Sequence, residues 1–142
     1  MKKLNYRLIT KENFYEISKL SRTLTEEQQK CVAPNAMSIG EGSVHSNAYY
    51  RGIYKEDAPV GFFMLSIPND ETRKAKKDND FYLWRFMIKY GDQHKHYGTE
   101  VLNHIVELGK ELGYKELITS CHIGDVSPYD FYLKYGFIDT GK

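Results

Sequence analysis

The stretch Gly91-Asp92-Gln93-His94-Lys95-His96-Tyr97-Gly98-Thr99 lies between an apolar run and an amphipathic one. As a strand-to-helix turn it would present free backbone N–H groups and the positive end of a helix dipole. Both favour a phosphate anion. Lys95 adds a cation, and Gly98 permits close approach of the backbone. Many such turns bind nothing, so this is a candidate anion cradle and no more. A second unit, Asp125 to Phe137, crowds Tyr129, Phe131, Tyr132 and Tyr135 before a Gly-Phe pair. Taken alone it reads as core packing. His94 and His96 are two positions apart and lack a third ligand at useful spacing, since His104 falls on the next helix. A metal site is not expected.

The elements that must position these residues follow from periodicity and punctuation. Residues 4–9 alternate as a strand, and Thr10 can cap a helix carrying Phe14, Ile17 and Leu20. Thr25-Glu26-Glu27-Gln28 is a capping box opening a short helix through Val32, which must stop before Pro34. Residues 35–47 are small and polar, which predicts a turn or a weak helix. Ala48–Lys55 and Val60–Ile67 read as an antiparallel hairpin. The charged segment Pro68–Asp80 reads as a solvated loop. Phe81–Lys89 is nearly continuous in bulky residues, as in a central strand covered on both faces. Tyr97–Leu112 carries Val101, Leu102, Ile105 and Leu108 on one helical face, with Gly113 past its end. Leu117–His122 is a further strand. Ser127-Pro128 opens a short helix ending at Gly136, and a last strand starts at Phe137–Thr140. The expected class is α/β (α+β), one domain over residues 1–142, with a mixed sheet flanked by helices.

Bulk properties narrow the partners. A chain of 142 residues with 41% hydrophobic content fits one self-sufficient core. Cys31 and Cys121 do not form a CxxC pair, so reduced thiols are expected. The N-terminus turns polar too soon for a signal peptide, and no apolar run reaches the ~20 residues that span a bilayer. A cytoplasmic protein that embeds in no membrane is expected. A net charge of +1 gives no global attraction to nucleic acid. The 12 tyrosines suit half-buried strands and interfaces.

Together, and in this order, the two units resemble the GNAT acetyltransferases. That family carries (Gln/Arg)-x-x-Gly-x-(Gly/Ala) after a central strand, and later (Phe/Leu)-Tyr-x-Lys-x-Gly-Phe. Here they stand as Gln93-His94-Lys95-His96-Tyr97-Gly98 and Phe131-Tyr132-Leu133-Lys134-Tyr135-Gly136-Phe137. More narrowly, Gln28 to Asn35, Pro59-Val60-Gly61-Phe62 and Trp84-Arg85-Phe86-Met87-Ile88 are similar to bacterial diamine or spermidine N-acetyltransferases. The chain departs from the pattern in three places. His96 replaces the first loop glycine, Asp125 stands where Asn is common, and the chain stops at Lys142, where relatives continue through another strand. A missing strand leaves an exposed sheet edge, which a second copy of the chain could cover.

The resemblance implies acetyl transfer from acetyl-CoA to a primary amine, here a small amine such as a diamine or polyamine. It implies that Tyr132 protonates the leaving sulfur. Backbone N–H groups near Phe86, Met87 and Ile88 would meet the thioester carbonyl. The loop from Gln93 through His94, Lys95, His96, Tyr97 and Gly98 to Thr99 would hold the pyrophosphate, with Asp125 and Lys134 near the cofactor. The attacking amine must be neutral, yet a primary amine has a pKa near ~10.4, so a base or a water chain is needed. Many relatives carry a central-strand Glu that this chain lacks. Glu26, Glu27, Asp80 and His122 are the candidates, and Glu26 or Glu27 could also hold a distal ammonium. Acetylation of a protein amine, or a GNAT-fold binding module without catalysis, are the alternatives.

Overall fold

The computed structural model describes residues 4–68, 80–121 and 128–141. The order is β1 (Leu4–Arg7), α1 (Phe14–Leu20), α2 (Glu26–Gln29), α3 (Asn35–Val44), β2 (Ala48–Lys55), β3 (Ala58–Ser66), β4 (Asp80–Ile88), α4 (Tyr97–Glu111), β5 (Glu116–Thr119) and α5 (Tyr129–Tyr135). The strands form one sheet in the order β1-β2-β3-β4-β5. Pairing is antiparallel from β1 to β4 and parallel between β4 and β5. The sheet is mixed and open, with helices on both faces.

Each face buries its own core. Phe63, Leu65, Leu83, Val101, Leu102, Ile105 and Tyr132 pack together on the side of α4 and α5. Ile17, Leu20, Ile39, Phe62, Met64 and Met87 pack on the side of α1 to α3. Successive residues of β3 thus feed opposite cores, as strand alternation requires. On β4 the register against β3 jumps, with Met64 opposite Arg85 but Leu65 opposite Leu83, so Trp84 is the extra residue of a β-bulge. The bulge changes which face later side chains meet. Phe81 and Leu83 precede it and Phe86 and Ile88 follow it in the α4-side core, while Trp84 and Met87 join the other.

Three elements differ from the sequence expectation. Asn13, rather than Thr10, precedes α1; its side chain accepts from Thr10 N–H (2.7 Å) and donates to Leu8 O (3.0 Å). Residues 35–44 form a full helix. Tertiary contacts override its weak propensity: buried Asn35 donates to Ile17 O (2.8 Å), and a Cβ on Gly42 would stand 2.6 Å from the Tyr50 ring. The strand expected at Phe137–Thr140 is not formed; among the described residues the segment pairs with no strand of the sheet, and Ile138 is 85% exposed. The charged loop lies almost wholly outside the described residues.

β3 and β4 meet closely at Gly61, where a Cβ would stand 2.4 Å from Met87 O. Backbone on both sides leaves no room for relaxation. Gly61→Ala is expected to destabilise the protein by about 1–3 kcal/mol, read from urea denaturation.

Candidate active site

β4 pairs with β5 only as far as Leu83↔Thr119, although β4 runs on to Ile88. Past that pair, among the described residues, no strand lies on the β5 side of β4, while β3 stays paired with its other edge as far as Ile88. Lys89 N–H donates to Val60 O (2.7 Å), and Met87 O faces Gly61, so these groups point to β3. Alternation turns the N–H groups of Phe86 and Ile88 the other way, into the fork. The fork opens a cleft of about 870 Å³. Phe86, Met87 and Ile88 all line it, but the Met87 amide faces β3, so Met87 contributes side chain rather than a donor.

The loop after β4 forms the second wall. Tyr90–Asp92 makes one 3-10 turn, and Asp92 then ties the loop together. Its carboxylate meets Lys95 Nζ (2.9 Å) and Lys89 Nζ (3.3 Å). Burial alone would raise the Asp92 pKa, but hydrogen bonds and charge from Lys95 and Lys89 outweigh it and leave the carboxyl below its ordinary range. Lys95 is thus turned to Asp92 and is absent from the cleft wall, which Asp92, Gln93, His94, His96, Tyr97, Gly98 and Thr99 supply. His94 and His96 both sit at φ 66°, the left-handed region. His96 adopts the backbone shape that favours glycine and bears a cost of about 1–2 kcal/mol for it. The turn therefore forms despite the Cβ. Gly98 serves packing: a Cβ there would stand 2.8 Å from the Phe131 ring, so the glycine lets α5 close on the start of α4. The N-terminal N–H groups of α4, a helix of 15 residues, face this region with their dipole.

Gln93 links the loop to two other elements. Its Nε2 donates to Ile88 O (3.1 Å), and its Oε1 accepts from Gln28 Nε2 (3.1 Å). Gln28 is held in turn by the capping box with Thr25, both bonds at 3.2 Å. This chain of amides draws α2 over the cleft, where Leu24, Gln28, Cys31 and Val32 form a third wall. Glu26 and Glu27 lie on the exposed side of α2 and are not part of that wall.

α5 supplies the last wall through Pro128, Phe131, Tyr132, Lys134 and Tyr135. Its end explains the Tyr-x-Lys-x-Gly-Phe spacing. Phe137 N–H donates to Tyr132 O (3.0 Å) and Gly136 N–H to Leu133 O (3.2 Å), with Gly136 at φ 128°. This is a Schellman closure, and its apolar contact is Tyr132 against Phe137, with ring centroids 5.2 Å apart. Tyr132 is thereby locked in place with 7% exposure. Burial pushes its phenol up to about 12; a hydrogen bond with Thr119 acts in the opposite sense, and Cys121 and Tyr82 add to the rise. The hydroxyl stays protonated at neutral pH.

His122 and Asp125 fall outside the described residues, as does Ser127. Asp80 begins β4 and pairs with Glu116, at the far end of the strand from the cleft. His104 stacks on Tyr6 at 3.9 Å, a packing role. Among the described residues no three His, Cys, Asp or Glu side chains group to hold a metal, and no helix is long and apolar enough to cross a membrane. The capping box marks α2 in sequence but not its place in the cleft wall, and Thr119 carried no signal, because contacts such as Gln28 to Gln93, 65 positions apart, arise only on folding.

A strand edge, a dipole-bearing turn and a buried phenol around one cleft suit a phosphate-bearing thioester. The model of the acetyltransferase (GNAT) family matches residues 11–137. The chain belongs to this family. It is an acetyltransferase that takes its acetyl group from acetyl-CoA. No curated protein sequence matches the chain. Solved structures share the GNAT fold. Ribosomal-protein-alanine N-acetyltransferase from Brucella melitensis biovar Abortus 2308 has a TM-score of 0.68 at 11% identity, over 96% of this chain and 93% of that one. AAC(6')-Iy with the bisubstrate analogue CoA-S-monomethyl-acetylneamine has a TM-score of 0.67 at 12% identity, over 96% and 92%. PaiA N-acetyltransferase from Thermoplasma acidophilum with coenzyme A has a TM-score of 0.66 at 19% identity, over 95% and 89%.

The Asp92 knot gives a pH signature. A carboxyl depressed in the folded state stabilises it above the unfolded pKa of about 3.9 and loses that stabilisation as pH falls through the folded value. Asp92→Asn is expected to lower the melting temperature at pH 7, and the gap to wild type should close as pH drops below about 4. A gap that persists at low pH would show that the carboxylate charge is not what holds the loop.

Proposed function

We propose that this GNAT enzyme transfers acetyl from acetyl-CoA to a small primary amine by direct attack, with Tyr132 as proton donor to the departing thiolate. The observation that carries the reading is a buried, protonated phenol across a fork from the N–H groups of Phe86 and Ile88, which have no strand partner among the described residues. Those donors suit the thioester carbonyl and the strand-like amide arm behind it. The loop amides from Gln93 to Thr99, with the α4 dipole, suit the diphosphate, and Lys134 on the rim offers a cation. The proton affinity of a thiolate rises in the same apolar cleft that raises the phenol, which keeps donor and acceptor matched.

In this reading the amine nitrogen attacks the thioester carbon, the C–S bond breaks, and the sulfur takes the Tyr132 proton. The amide nitrogen loses its extra proton to solvent, from which the phenolate recovers one. Lacking a central-strand Glu, and with Glu26 and Glu27 exposed and outside the cleft wall, the enzyme relies on water to remove it. A cleft walled by α2 on one side favours a small acceptor over a peptide, which needs an open groove.

Tyr132→Phe is expected to lower kcat by about a hundredfold or more, the usual scale for a positioned acid. Acetyl-CoA should still raise the melting temperature of the variant as it does wild type, because the phenol holds no part of the donor. Turnover at the wild-type rate would remove Tyr132 from the acid role. No thermal shift in either protein would remove acetyl-CoA binding.

A further inference from the structure

Once the diphosphate turn and the thioester centre are assigned, the part of the cleft left for the acceptor is the α2 wall with Met87. None of these side chains carries a charge, and each polar one already makes hydrogen bonds within the protein. Gln28 Nε2 donates to Gln93 Oε1, and Gln28 Oε1 accepts from Thr25 N–H. The Cys31 thiol points at Glu27 O, 3.6 Å away along its own helix. Leu24 and Val32 are apolar, and Met87 is buried. Among the described residues the cleft wall holds one carboxylate, Asp92, and two lysines already neutralise it.

We infer that the acceptor is a monoamine with an apolar body, an alkyl- or arylalkylamine, and not a diamine or polyamine. This rests on the amine acetyltransfer proposed above and departs from the acceptor that the sequence resemblance implies. A diamine carries a second ammonium along its chain. Seating that charge against Leu24, Val32 and Met87 leaves it desolvated and unpaired, which is costly. The same wall helps the reacting nitrogen. Removing an ammonium from water lowers its pKa, so an apolar seat raises the neutral, nucleophilic fraction without a dedicated base. The missing central-strand Glu and the uncharged α2 wall are then two sides of one solution.

The test is a matched pair, n-hexylamine and 1,6-diaminohexane, which differ by a terminal methyl against a terminal ammonium. Coenzyme A release is followed with a thiol reagent. The expected result is a kcat/KM at least about tenfold higher for hexylamine, after a factor of two for the diamine's two ends. Val32→Asp should shrink or invert that ratio by giving the distal ammonium a partner. Equal or better use of the diamine by wild type overturns the inference and leaves amine acetylation standing. Release with neither amine, in a protein that acetyl-CoA stabilises thermally, overturns the small-amine reading itself.

Discussion

The site depends on one interruption of hydrogen bonding. β4 and β5 run parallel and bonded from Asp80 to Leu83, and then part while β4 continues. Parallel neighbours that diverge leave a row of backbone donors and acceptors facing inward, where burial without a partner is costly. Here that row borders a cleft. Gln93 already takes the Ile88 carbonyl, and the remaining amides suit an extended ligand that bonds as a strand would. The Trp84 bulge supports this by letting β4 feed both cores while its backbone turns towards the opening.

The other elements read as constraints that hold the fork in shape. Asp92 gathers Lys89 and Lys95 and stiffens the turn that leads into α4. Gly98 lets the Phe131 ring close against that turn, so the loop and the tyrosine-bearing helix share one contact. The Schellman closure at Gly136 sets Tyr132 against Phe137 and aims its hydroxyl from a buried seat. A helix of seven residues would hold a side chain poorly by itself; the closure and the core supply the rigidity for Tyr132.

Much of this was legible in sequence because it is local. The capping box at Thr25, the bulky run of β4, the α4 stripe and the Tyr132–Phe137 spacing each have a short-range cause that a pattern reveals. What pattern could not reveal is contact across the chain. α3 forms because Asn35 is buried against Ile17 of α1 and Gly42 against Tyr50 of β2, contacts between elements that helix periodicity does not show. The strand expected after Phe137 fails although the residue types suit it, because strand propensity counts only where a neighbour is present. Lys95 read as a phosphate cation, yet Asp92 captures it three positions away. Glu26 and Glu27 carried suitable chemistry, but the register of α2 turns Gln28 and Cys31 to the cleft instead.

Amide hydrogen exchange along β4 tests the fork most directly. In the free protein the Phe86 and Ile88 amides should exchange much faster than those of Met87 and Lys89, which bond to β3, and acetyl-CoA should slow the first pair selectively. Phe86 and Ile88 amides that are already protected without ligand, or that remain fast at saturating acetyl-CoA, would contradict the account.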